Sequence, residues 1–149
     1  MPKSLTLKEA YNQCSSEGKY LPQKDIDYAR VETTLKIIEE DLETIKELKM
    51  KKDRWNTLYK LNYDVIHTLV EAFLVFDNIK STNHQCLFAC LCTKHPQLEL
   101  SWDFFEKVRT KRNGIHYYGT GVNEQDWKEV ELRFSLYINL LSEEIKKKL

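Results

Sequence analysis

The stretch RWNTLYKLNYDVIHTLVEAFLVFDNI, residues 54–79, decides the fold class. Leu58, Asn62, Val65, Ile66, Leu69, Val70, Phe73, Phe76 and Ile79 recur along it at helical intervals. From Val65 to Phe76 the segment is apolar nearly all round, broken by His67 and Glu71. A helix of that kind must be buried on most of its circumference, so it is expected at the centre of a bundle. It falls short of the roughly 18–20 apolar residues that a membrane span requires. The expectation is a soluble chain with no membrane-spanning segment.

Working outward, Val31, Leu35, Ile38, Leu42, Ile45 and Leu48 step by three and four residues and predict a helix over about 25–50. Glu39, Glu40, Glu43, Lys46 and Lys49 fall largely outside that stripe and read as a solvated face. Lys49, Lys51, Lys52 and Arg54 then cluster where a helix end and a loop are expected, and positive charge there complements the helix dipole. Upstream, residues 1–24 read as an N-terminal arm or as a short helix ending near Gly18, with Leu5, Leu7, Ala10 and Tyr11 as its apolar residues.

Downstream, Ser81, Thr82 and Asn83 are all good N-caps for a helix that must stop before Pro96. Ser101 opens another, with Trp102, Phe104, Phe105 and Val108 facing the core and Gly119 and Gly121 marking its end. The last begins near Asn123 and carries Trp127, Val130, Phe134, Tyr137, Ile138, Leu141 and Ile145 along one side. The fold class is therefore all-α. Short connections favour an up-and-down antiparallel helical bundle of about four or five helices over residues 25–149, within one domain spanning 1–149.

Charge is balanced, with 23 basic and 23 acidic residues, so any nucleic-acid site must be a local basic patch. Of the four cysteines, Cys86, Cys90 and Cys92 crowd into seven residues, where helical neighbours point apart and bridge poorly. With Cys14 and no secretory signal, they suggest a reducing, cytoplasmic setting. His84, Cys86, Cys90, Cys92 and His95 are zinc-compatible residue types, but no Cys-x-x-Cys pair occurs among them. They read as core cysteines. Neither a metal nor a cofactor is expected.

The chemistry-bearing stretch is Val108-Arg-Thr-Lys-Arg-Asn-Gly-Ile-His-Tyr-Tyr-Gly119. Arg109, Arg112, Asn113 and His116 are separated by three, four or seven residues, which places them on one helical face. An imidazole suits proton transfer at neutral pH. A guanidinium holds a phosphate through paired hydrogen bonds and offsets charge growing on its oxygens. This set suits phosphodiester cleavage of RNA without metal, with His116 moving the proton and Arg109 or Arg112 stabilising the pentacoordinate phosphate. The same residue types at a helix C-terminus also serve as caps and dipole partners.

The run Arg-Asn-x-x-His-Tyr-Tyr-Gly, late in a small helical bundle, resembles the HEPN superfamily, as does Ser81-Thr-Asn-His before the preceding helix. The resemblance covers about residues 25–145, with its specific signal confined to 109–118. The superfamily pattern is Arg, four to six residues, then His, often followed by Tyr two places on. Arg109 and His116 fit it with six residues between them, and Tyr118 takes the tyrosine position. In the commoner Arg-Asn register only Gly114 and Ile115 precede His116, and Tyr117 stands where histidine is expected. Either Arg109 is the catalytic arginine, or the register has shifted and activity is lost.

The resemblance implies a homodimer paired through the motif-bearing helices and a metal-independent endoribonuclease leaving 2′,3′-cyclic phosphate ends. Such proteins are often toxins. In some pairs a small nucleotidyltransferase antitoxin adenylylates the motif tyrosine, here Tyr118, which places phosphate charge beside His116. Asn113, Tyr117 and Tyr118 would then contact RNA, a nucleotide or a partner. The alternatives are a non-catalytic nucleotide- or protein-binding module of the same fold, and a helical scaffold that only dimerises.

Overall fold

In the computed structural model, which describes residues 4–149, the central 54–79 stretch forms α3 over Trp55–Val75. Tyr59, Tyr63, Ile66, Leu69, Val70 and Leu74 on it are fully or almost fully buried. It packs against α2 (Tyr28–Lys49), α4 (His84–Lys94), α5 (Trp102–Tyr117) and α6 (Glu124–Lys148). The expected all-α class holds for the described residues.

The N-terminal segment resolves as the short-helix alternative. Helix α1 spans Leu7–Ser16, opened by a capping box in which Thr6 and Glu9 each accept the other's backbone N–H. Gly18 follows it at φ +67°, a left-handed conformation that glycine adopts without steric cost. Residues 1–3 of the expected 1–24 segment lie outside the described residues. With α1 counted, the described residues hold six helices rather than four or five.

The expected helix over 54–79 ends early. Asn78 turns left-handed at φ +59°, and residues 76–78 close with i to i−3 hydrogen bonds in place of helical ones. Ile79–Lys80 becomes β2, paired antiparallel with β1 (Leu21–Pro22), Leu21 opposite Lys80 and Pro22 opposite Ile79. These two-residue strands carry no periodicity that a sequence reading could detect.

The three downstream helices start at expected caps. Asn83 accepts from Cys86 N, Ser101 from Phe104 N, and Asn123 from Asp126 N. Helix α5 runs unbroken through Gly114, and the loop after it is tied down by Asn56 of α3, whose Oδ1 accepts Val122 N–H at 2.7 Å. A Cβ at Gly121 would lie 3.3 Å from that same oxygen, so the close approach favours glycine.

One cysteine reading is corrected. Cys14 of α1 is disulfide-bonded to Cys86 of α4, 72 residues away. Poor bridging between helical neighbours holds for Cys86, Cys90 and Cys92, but it left out the distant partner. Cys90 and Cys92 are free and buried, as expected of core residues, and burial pushes the Cys90 thiol up to about 11 and that of Cys92 up to about 12. Neither is activated as a nucleophile at neutral pH. No helix among the described residues is long and apolar enough to cross a membrane.

Candidate functional site

Helix α5 divides along its length. Its first two turns bury Trp102, Phe104, Phe105 and Val108 in the core. Trp102 also donates its indole N–H to Leu5 O, which fixes the chain before α1 onto α5. Beyond Val108 the helix leaves the core, and the polar set Arg109, Arg112, Asn113 and His116 emerges from it.

Both arginines have acidic partners. Arg109 donates Nε and Nη2 to the two carboxylate oxygens of Glu106, at 3.0 and 3.1 Å. Glu106 also accepts from Gln85 Nε2 at 3.0 Å, which ties α5 to α4. Arg112 reaches Asp64 Oδ1 on α3 at 3.5 Å, a long contact to an exposed carboxylate. Its guanidinium sits over the Tyr63 ring, 5.3 Å from the centroid. Arg112 Nε is buried without a hydrogen-bond partner among the described residues. Arg112 therefore retains unused donor capacity, while Arg109 is engaged at both positions of its fork.

His116 stands apart. It is exposed at the end of α5, with its ring 4.7 Å from that of Tyr117 and perpendicular to it. No hydrogen bond or ring contact joins it to either arginine among the described residues. Tyr117 and Tyr118 are exposed and lie edge to face, 6.4 Å apart. Asn113 is half-buried beside them. Within one chain, then, the arginines come together with Tyr63, and His116 does not join them.

Two other histidines do face the arginines. His84, the first residue of α4, has its Nδ1 2.9 Å from the Tyr63 hydroxyl. Its ring packs against His67 of α3, with centroids 3.8 Å apart. Burial, then the positive charges of Arg112 and Arg109, hold the His84 pKa below its ordinary value. His67 is pushed down to about 3 by burial, with His84 and Arg112 adding to it. Its Nδ1 lies 3.0 Å from Glu71 Oε1, and with a neutral ring this is a hydrogen-bonding distance rather than an ion pair. Burial raises the Tyr63 pKa, so the phenol keeps its proton.

In the sequence His84 stands among zinc-compatible residues and His67 interrupts an apolar run. The available signal was the four-residue step from Tyr63 to His67, which puts an aromatic hydroxyl and an imidazole on one face of α3. The zinc-compatible set itself is dispersed, with Cys86 in the disulfide and His95 beyond the far end of α4 against Asp77. Among the described residues no group of three or more His, Cys, Asp or Glu converges as metal ligands.

Comparisons with protein-family models, with curated proteins and with solved structures return no significant match to this chain.

Proposed function

We propose that this chain is a HEPN-type, up-and-down helical bundle that acts on RNA as a metal-independent endoribonuclease. The observation that carries the reading is the polar end of α5, where Arg109, Arg112 and Asn113 leave the core and lead to the exposed His116-Tyr117-Tyr118. In the proposed reaction the ribose 2′-oxygen attacks phosphorus and the bond to the 5′-oxygen breaks. One proton leaves the 2′-hydroxyl and one reaches the departing oxygen, and His116 serves one of these transfers. Arg112, with donors to spare, offsets charge on the phosphate oxygens.

Because no hydrogen bond or ring contact joins His116 to either arginine among the described residues, the reading requires a two-fold pairing of α5 that places it near the partner's arginines. Tyr118, exposed two residues after it, is the proposed acceptor of AMP from a small nucleotidyltransferase antitoxin. The test compares initial rates of RNA cleavage. His116→Ala is expected to lose activity by about 100-fold or more with folding retained. A variant that cuts mixed RNA as fast as the parent contradicts the assignment.

A second reading is favoured by the carboxylates already on both arginines. A site whose cations are paired in this way suits a binding module that holds a nucleotide without cleaving it. That reading predicts RNA or nucleotide binding with no product in either protein.

A further inference from the structure

Three elements converge on the Tyr63 ring: α3 supplies the ring itself, α4 brings His84 to its hydroxyl, and α5 lays Arg112 over its face. Both flanking groups have an unmatched nitrogen. Among the described residues Arg112 Nε has no hydrogen-bond partner, and the guanidinium's contact to an acid is the long one to Asp64. His84 uses Nδ1 on Tyr63, and its Nε2 makes no hydrogen bond among the described residues. A buried guanidinium nitrogen left unmatched is costly, and functional positions are among the places where such a group is retained.

We infer that Arg112 and His84 form a binding site for an RNA phosphodiester, with Tyr63 as the positioning residue between them. The inference rests in part on the nuclease reading, because it names the groups that would meet the phosphate. It also makes His84 a contact residue that the Arg/His spacing of α5 does not contain.

The chemistry of the three groups fits such a ligand. A guanidinium offers paired donors to phosphate oxygens, and displacing exposed Asp64 from one nitrogen costs little. The Tyr63 hydroxyl can donate to Nδ1 of a neutral His84, which leaves Nε2–H as a donor to phosphate. If bound anionic phosphate draws a second proton onto His84, the same hydroxyl can accept from Nδ1–H. His67, packed behind His84, backs the ring with a neutral group. The other charged groups acting on His84 are Arg109 and Asp64; Arg109 gives two of its donors to Glu106, which leaves more of them unused on Arg112.

The test is a titration of histidine-¹⁵N-labelled protein with a 2′-O-methyl RNA hexamer, which cannot undergo 2′-oxygen attack. A second titration uses inorganic phosphate. The expected result is a perturbed His84 Nε2 resonance at sub-millimolar hexamer, with phosphate acting only at higher concentration. Arg112→Gln is expected to weaken hexamer binding by about tenfold or more. Tyr63→Phe keeps the ring and its packing, so it is expected to fold and still lose part of the His84 response. Equal potency of inorganic phosphate would overturn the assignment to RNA. An unmoved His84 with both probes at millimolar concentration would overturn the site itself. If the parent cleaves RNA while His84 does not respond, this inference falls and the nuclease reading stands. If His84 responds and no cleavage occurs, the reverse holds.

Discussion

At the scale of single residues, His67 holds an imidazole neutral where the solvated group would titrate. Its folded pKa of about 3 lies below the ordinary value of 6.5, chiefly through burial. As pH falls, the unfolded chain therefore binds the proton first. The stability this group contributes is complete above about pH 6.5 and declines below it, by at most about 1.4 kcal/mol per pH unit. His84, also depressed, acts in the same direction from the same upper limit. Glu71 opposes them, because burial raises its pKa and the folded state keeps a proton that the unfolded chain releases. Urea unfolding of the parent is expected to show lower stability at about pH 5.5 than at pH 7, with a shallower loss in His67→Gln. Identical pH slopes in the two proteins contradict a neutral, buried His67.

At the scale of elements, α5 depends on its ends. Ser101→Ala removes the side chain that accepts Phe104 N–H and is expected to cost about 1 kcal/mol by chemical denaturation. Gly114→Ala is expected to work in the opposite sense. A Cβ there would meet Thr120 Cβ at 3.6 Å, an ordinary contact, so the gain in helix propensity of up to about 1 kcal/mol is retained. A lower melting temperature in that variant would show that Thr120 cannot yield. Helix α1 depends on Cys14–Cys86, which closes a 72-residue separation. Reduction or Cys14→Ser is expected to lower stability by about 2–4 kcal/mol, read as a melting temperature that falls with added thiol. These elements also show what a sequence can and cannot reveal. The caps Ser101 and Asn123 and the stripes of α2, α3 and α6 were legible because capping and amphipathicity are local. The disulfide, the β1–β2 pair and the approach of His84 to Arg112 were not, because each joins segments that only the packed chain brings together.

At the scale of the whole molecule, the α5 spacing was legible, but the convergence it suggested is only partly met. Arg109 and Arg112 do share a neighbourhood with Tyr63, while His116 lies exposed at the helix end, away from their contacts. A two-fold pairing of α5 is what the nuclease reading adds to reconcile these positions, and it predicts a dimer by sedimentation that Arg109→Glu together with Arg112→Glu disrupts. The claim on which the account turns is that this polar end acts on RNA without a metal. It is tested most directly by end-group analysis of RNA incubated with the purified protein in EDTA. The account predicts fragments bearing 2′,3′-cyclic phosphate and 5′-hydroxyl ends. Intact RNA, or fragments with 5′-phosphate ends, would contradict it.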